Sequence, residues 1–238
     1  MTLPGAALGG PRVAIVVGLK AEGRVANVGA ELTIIGGGSA RQVEAGLTLA
    51  QKRAEAESRP LQAVLSFGLA GGLAEGLRPG DLVVASAIIA GEASYPCHAL
   101  WVASLSRLLP QAHLGAMAGV DAAVGSPEAK SSLHANCGAL AVDMESHGAA
   151  RFAQDNGLPF AALRAIADPQ IRALPQAALV GMKSDGSPDI LAVIAALARQ
   201  PTQLPGLIQT AFDAKAGMKA LFVSRRQLGD FFGFDLLL

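Results

Sequence analysis

Two short motifs carry the residue types best suited to chemistry. AVDMES, Ala141 to Ser146, and RAIADP, Arg164 to Pro169, each close an apolar run that reads as a strand. In an open α/β sheet, ligands bind in the crevice beyond the carboxyl ends of the strands. Glu145 and Asp168 are therefore expected to face one pocket despite their separation along the chain. Carboxylates gathered in such a crevice are the groups of acid–base and charge-stabilising chemistry, and the arrangement points to an enzyme.

Glycines form a second constellation at the ends of the early strand-like runs: Gly18, Gly36-Gly37-Gly38, and the stretch Gly68-Leu69-Ala70-Gly71-Gly72. Each can bring backbone N–H groups close to an anion, and each alone is equally consistent with tight-turn chemistry. No GxGxxG follows the first run and no acidic residue closes the second, so the spacing is wrong for a dinucleotide fingerprint.

The elements that must hold these residues alternate. Strands are predicted at Val13 to Val17, Leu32 to Ile35, Ala63 to Phe67, Leu82 to Ile89, Leu114 to Ala118, Ala139 to Met144 and Phe160 to Ile166. Helices are predicted at Ser39 to Glu57, Pro127 to Asn136 and Glu145 to Asn156, with Ser39 and Ser126 as N-caps and Gly157 as a C-cap. The expected fold is α/β, a three-layer sandwich with a central mixed β-sheet flanked by helices. After Pro169 a Pro- and Gly-punctuated stretch leads into Asp189 to Arg199 and a long helical segment from Leu204 to about Arg226. The expected organisation is one domain over residues 1–238, with a helical C-terminal extension from about 185 to 238.

The 238 residues are 51% apolar and 16% charged, enough for one large buried core. Formal net charge is zero and no block of Lys or Arg occurs, which argues against nucleic acid as a partner. Cys97 and Cys137 have neither metal-knuckle nor redox spacing, and His113, His134 and His147 lack a metal-ligand spacing, so no metal is inferred. The short apolar stretch Val13 to Leu19 suits a first strand better than a signal peptide, and no run reaches transmembrane length. A cytoplasmic protein is expected.

SFGLAGGLAEGLRPGDLVVAS, AVDMES and RAIADP occur in the order and rough spacing of one superfamily. From Val13 to Pro169 the chain resembles the purine nucleoside phosphorylase and methylthioadenosine/adenosylhomocysteine nucleosidase superfamily. Its continuation, ALVGMKSDGSPDILAVIAAL, looks like the hopanoid-associated phosphorylase branch. The resemblance implies a nucleoside phosphorylase-like fold and cleavage of the N-glycosidic bond of a purine nucleoside through an oxocarbenium-like ribose, by a glycosyltransferase of the phosphorylase type or by a hydrolytic nucleosidase. Asp168 matches the acid that protonates the departing purine, although Asp-Pro is also a turn initiator. Glu145 matches the carboxylate that binds the ribose hydroxyls, with Met144 against the sugar; a residue near a helix start is its plainer reading. Asp143 reads as a structural partner.

Gly18, Gly38 and Gly68 match the surroundings of phosphate or attacking water, and Arg24 and Arg41 are candidate phosphate ligands. Glu22 lies near the position where hydrolytic members place a water-activating Glu. The base pocket is assigned to Ala70, Gly71, Ala123 and Val124, without the stacking Phe usual in the family. Leu69 and Ser66 stand where a hydroxyl residue and, in bacterial purine-type phosphorylases, an arginine are usual, which puts phosphorolysis in question. No cofactor is implied beyond inorganic phosphate as co-substrate for phosphorolysis.

Membership in the hopanoid-associated branch implies adenosylhopane as the lipid-linked nucleoside, releasing adenine and giving phosphoribosylhopane. The alternatives are a soluble enzyme acting on methylthioadenosine, adenosylhomocysteine or ordinary purine nucleosides, or a non-catalytic nucleotide-sensing module. On a helical wheel Lys215, Lys219 and Arg226 form a stripe beside Leu207, Ala211, Met218 and Phe222, resembling an interfacial helix. The tail FFGFDLLL reads as exposed and in need of a partner surface or membrane. Peripheral contact at the inner membrane face through the C-terminal helix, and a homo-oligomer, are expected. Tyr95, His98 and Trp101 are candidates for covering the site, and core or loop packing explains them equally well.

Overall fold

The computed structural model describes residues 10–29, 32–179, 183, 185–187 and 189–237. Parts of the stretch after Leu179 that carries the branch-level resemblance lie outside the described residues.

The strands are β1 (Val13–Val17), β2 (Thr33–Ile35), β3 (Ala63–Gly72), β4 (Leu82–Ala90), β5 (Ala93–Pro96), β6 (His113–Gly119), β7 (Ala141–Asp143) and β8 (Phe160–Asp168). β1 pairs in parallel with β2 and β3, extending one side of a ring in which β3, β8, β4, β6 and β7 pair in succession and β7 returns to β3. β3 is parallel to β8 but antiparallel to β7, and β4 is antiparallel to β8, so the sheet is mixed. β1 is buried at every position and β8 at all but its last. Strands buried along their whole length form where helices cover both faces of a sheet. The fold is α/β with a mixed central sheet flanked by helices, as the sequence predicts.

The helices are α1 (Lys20–Ala26), α2 (Ala40–Ala56), α3 (Ala99–Leu108), α4 (Pro127–Cys137), α5 (Ser146–Asp155), the short α6 (Gln176–Leu179), α7 (Ile190–Arg199) and α8 (Leu204–Gln227). The hydroxyls of Ser39 and Ser126 accept from the amides of Gln42 and Ala129, and Asp189 caps α7 in the same way. The C-cap of α5 is Asn156 and not the predicted Gly157, which follows it in the left-handed region.

α8 buries Asp213, Gly217, Leu221 and Ser224. Its Gly217 passes so close to β8 and β3 that an added Cβ would lie 2.7 Å from the Leu69 side chain and 3.1 Å from the Ile166 carbonyl. Lys215, Lys219 and Arg226 are exposed on the opposite face, which they share with Leu204, Ile208, Phe212 and Phe222.

Three sequence expectations are corrected. The tail does not present its aromatic rings to a partner. Phe232 and Phe234 are buried, packing edge-on against Phe67 at 5.4 Å and against Trp101 at 4.9 Å. Tyr95, His98 and Trp101 do not line the pocket that holds Glu145 and Asp168. Tyr95 belongs to the β4–β5 hairpin, His98 caps α3, and Trp101 is buried with its indole N–H donating to the Phe232 carbonyl at 2.9 Å. The Gly68 to Gly72 stretch is not a turn, because β3 continues through it to pair with β8 and β7.

Candidate functional site

A cavity of about 200 Å³ opens where β1, β3, β7 and β8 end. It is lined by Gly18, Leu19 and Glu22 on one side, by Leu69, Ala70 and Gly71 of β3, and by Asp143, Met144 and Glu145 after β7. Ala167 and Asp168 enter from β8, and Val120, Ala123, Val124, Val142 and Leu174 complete an aliphatic wall. Glu145, Asp168, Glu22, Met144 and the four base-pocket candidates thus meet in one place. Gly38 and Gly68 lie just behind it. Arg24 and Arg41 do not reach it. Arg24 is two positions beyond Glu22 on α1 and therefore turned away from it, Arg41 stands in the first turn of α2, and both side chains are exposed.

Glu22 is the third residue of α1, placed to reach back over the helix start. Its Oε2 accepts from the amides of Gly18 and Leu19, both at 2.8 Å, and its Oε1 from the amide of Leu69 at 2.7 Å. The close approach depends on Gly68, where an added Cβ would lie 2.6 Å from Arg164 Nη1 and 2.8 Å from the Glu22 carboxyl. Burial raises the Glu22 pKa above the ordinary carboxylate value, while Arg164 and the three amides oppose the rise.

Glu145 is the N-cap of α5, but the side chain that accepts at the helix start is that of Asp143, whose Oδ1 accepts from the amides of Glu145 at 3.0 Å and Ser146 at 2.7 Å. That frees Glu145 to turn back, where Oε1 accepts from the Gly38 amide at 2.9 Å. Gly38 has φ 81°, in the left-handed region that glycine tolerates. Burial pushes the Glu145 pKa up to about 7, against Arg164 and with help from the charges of Asp143 and Glu22.

Arg164 ties these acids together from beneath. Wholly buried in β8, it lies 2.8 Å from Asp143 Oδ2 through Nε and 3.6 Å from Glu145 Oε2 through Nη2, and it donates to Ser66 Oγ at 2.6 Å. Ser66 is bonded in turn to Ser146 at 2.9 Å. In the sequence Arg164 opens the RAIADP motif with no role attached to it. Its signal was a charged residue inside an otherwise apolar strand, a placement tolerated only when the charge is paired.

Asp168 ends β8, where Gly71 of β3 leaves room beside it: an added Cβ there would come within 3.1 Å of Oδ2. Burial raises its pKa, the ammonium of Lys130 opposes, and Asp213 adds to the rise. Lys130 Nζ lies 2.5 Å from Asp168 Oδ2. This lysine is fully buried and was not singled out from the sequence, because α4 carries no apolar stripe to mark which face turns inward.

Two of the three glycine amides assigned to a phosphate, those of Gly18 and Gly38, are already engaged, as is that of neighbouring Gly37. Gly18 donates to Glu22, Gly38 donates to Glu145, and Gly37 donates to the Gly18 carbonyl at 3.1 Å. A second cleft, of about 370 Å³, lies between α2 and α5, lined by Glu44, Thr48, Gln51, Lys52, Glu55, Phe152, Asp155 and Asn156. It contains none of the buried acids described above.

A mixed sheet whose strand ends gather three carboxylates over one guanidinium, with an aliphatic wall facing a fourth, defines an acid-lined ligand site. The chain belongs to the Phosphorylase superfamily, whose profile matches residues 48–185. No curated protein matches it in sequence. Among solved structures it is similar to S-adenosylhomocysteine nucleosidase from Streptococcus pyogenes in complex with 5-methylthiotubericidin, at 17% identity and TM-score 0.61, covering 92% of this chain and 98% of that one. It is also similar to Helicobacter pylori 5'-methylthioadenosine/S-adenosylhomocysteine nucleosidase with butyl-thio-DADMe-Immucillin-A, at 17% identity and TM-score 0.60, covering 90% and 97%. A futalosine hydrolase mutant of Helicobacter pylori matches at 19% identity and TM-score 0.54 over 66% of this chain and 89% of that one. At these identities the likeness is one of fold.

Proposed function

We propose that the protein cleaves the N-glycosidic bond of a purine nucleoside by hydrolysis, releasing the base. The observation that carries this reading is the Glu22 carboxylate held by the amides of Gly18, Leu19 and Leu69. Those donors would otherwise form a phosphate cradle. Filled by an acid whose pKa burial raises, the same place suits a general base that takes a proton from water. A phosphate dianion would meet Glu22 and Glu145 with no free cation beside it, since the lining residues include no Arg, Lys or His.

In this reading Asp168 gives its proton to a purine ring nitrogen as the bond from the anomeric carbon to the base breaks. The bonding electrons leave with the base. Glu145 and Met144 hold the ribose, and the negative charge of Glu145 favours the cationic sugar. Water adds to the anomeric carbon and its proton passes to Glu22.

For the substrate, the resemblance to the hopanoid-associated branch favours adenosylhopane, with adenine and ribosylhopane as products. An exposed apolar surface on the C-terminal helices suits a greasy substituent. α7 buries none of its residues, leaving Ile190, Leu191 and Ile194 exposed by 66%, 79% and 57%, and Leu204, Ile208 and Phe212 continue along α8. The Gly186 carbonyl accepts from the Lys20 amide at 3.0 Å, next in the chain to Leu19 of the cavity lining. Lys215, Lys219 and Arg226 on the exposed face of α8 suit a peripheral approach to an anionic surface. Among the described residues no helix is long and apolar enough to cross a membrane.

The test is adenine release from adenosylhopane in mixed micelles and from methylthioadenosine, with and without phosphate, for wild type and Glu22→Gln. The expected result is release independent of phosphate, a free sugar product, and a loss of about 100- to 10,000-fold in Glu22→Gln. Release that requires phosphate and yields a phosphorylated sugar would overturn the hydrolytic reading.

A further inference from the structure

An acid that protonates a leaving purine has to satisfy two opposed demands, holding a proton at working pH and giving it up readily. Asp168 faces both demands in its surroundings. Lys130, wholly buried on α4, places Nζ 2.5 Å from Oδ2 and also lies 3.2 Å, 3.1 Å and 3.0 Å from the carbonyls of Asp168, Pro169 and Arg172. An ammonium has three donors and no acceptor. The three carbonyls can only accept from it, and they belong to the turn that carries Asp168 itself.

The other charges near Asp168 are few. From α8 comes Asp213, paired to Arg172 Nε at 2.9 Å. From β3 and β7 the neighbours are Gly71 and Val142, which carry none. Among the described residues Asp168 Oδ1 takes part in no hydrogen bond, so one carboxyl oxygen is fixed by Lys130 while the other remains available to a ligand.

We infer that Lys130 is a positioning residue for the acid, fixing the Asp168 carboxyl group through Oδ2 and making it a stronger proton donor by stabilising the carboxylate it leaves behind. This rests on the reading of Asp168 as the group that protonates the purine. The O–H bond of Asp168 breaks, an N–H bond forms on the base, and the resulting carboxylate is neutralised by the ammonium, which keeps all its protons.

Two leaving groups separate this role from a structural one. A purine needs protonation to depart, whereas 4-nitrophenolate leaves without it. Wild type, Lys130→Met and Lys130→Arg are assayed from pH 5 to 9 with adenosine or methylthioadenosine and with 4-nitrophenyl β-ribofuranoside. An opposite charge this close moves a carboxyl pKa by about one to three units. In Lys130→Met the alkaline limb of kcat for the purine nucleoside is therefore expected about one to three pH units higher. Its plateau should fall at least 10-fold, with KM within about 3-fold of wild type and nitrophenyl riboside cleavage largely retained.

Equal losses on both substrates, or an alkaline limb that does not move, would overturn the role of Lys130. Should Lys130→Met not fold, Lys130→Arg decides. It keeps the charge, so its limb is expected within about half a unit of wild type, and a displacement of a unit or more overturns the inference. Wild type that cleaves the nitrophenyl riboside but no purine nucleoside would instead overturn the reading of Asp168 as the acid, and the role of Lys130 with it.

Discussion

Replacing Glu145 by Gln removes a charge from the acid cluster while nearly keeping its shape, and the consequence for stability follows from how the carboxyl is buried. The residue is 6% exposed, and burial, the largest influence, takes its pKa from 4.5 to about 7. A carboxyl whose pKa is higher folded than unfolded contributes its full stability below the unfolded value and loses it as pH rises through the folded one. For Glu145 that window runs from about 4.5 to about 7. Each pKa unit corresponds to about 1.4 kcal/mol, so ionising Glu145 inside the fold costs roughly 3 kcal/mol. The variant does not incur that cost, and its amide oxygen can still accept from Gly38. Lacking the Glu145 charge, it also relieves Glu22, whose raised pKa acts in the same direction.

Urea unfolding of wild type and Glu145→Gln at intervals from pH 5 to pH 8 reads this difference directly. Near pH 5 the two are expected to be similar. By pH 8 the variant is expected to be more stable by about 3 kcal/mol, or roughly 6–12 °C in Tm for a chain of this size. Activity should fall in the same variant, so a gain in stability would accompany a loss of function. Parallel stability curves across the whole range would refute the reasoning, because they would mean that the Glu145 carboxyl titrates alike in the folded and unfolded chains.

Two further perturbations test the packing that positions the site. Gly68→Ala would place a methyl group 2.6 Å from Arg164 Nη1 and 2.8 Å from the Glu22 carboxyl. It is expected to cost about 1–3 kcal/mol and to remove most activity, measured by thermal unfolding and base release. Phe232→Ala empties the place between Phe67 and Arg225, whose guanidinium stacks 4.5 Å from the ring. A loss of about 3–5 kcal/mol is expected from urea melts, whereas a tail held against a partner would show little change in the isolated chain.

Much of the sheet and several helices were legible because their signals are local. The apolar runs of β1 and β4 and the serine caps of α2 and α4 each lie within a few residues of the element they mark. β5 and α3 were missed. β5 is four residues long and mostly exposed, so it offers no alternation, and α3 follows it where a loop after a long strand reads equally well. The tail was misjudged because its apolar residues have partners far away in sequence. Phe232 meets Phe67, and the Trp101 indole donates to the Phe232 carbonyl. The position of the acids was legible from the rule for strand ends. Their counter-charges were not, since whether Arg164 and Lys130 point inward depends on strand register and helix orientation that only the assembled fold supplies.

The placement of Arg164 also bears on which nucleophile the site can admit. A guanidinium exposed at the cavity would offer a phosphate the planar, charged fork that binds such oxyanions best. Here it is buried beneath Asp143, Glu145 and Glu22, and those carboxylates raise its own pKa against the effect of burial. Glu22 and Glu145 face the cavity, while the cation that steadies them remains behind. A surface built in this order repels a dianion, whereas it attracts a sugar that is gaining positive charge. Breaking a buried pair of this kind leaves an uncompensated charge inside the protein, so the arrangement cannot readily invert to expose the arginine. The proposed hydrolysis needs no such inversion, because in that reading water donates to Glu22 and approaches the sugar without carrying charge into the site.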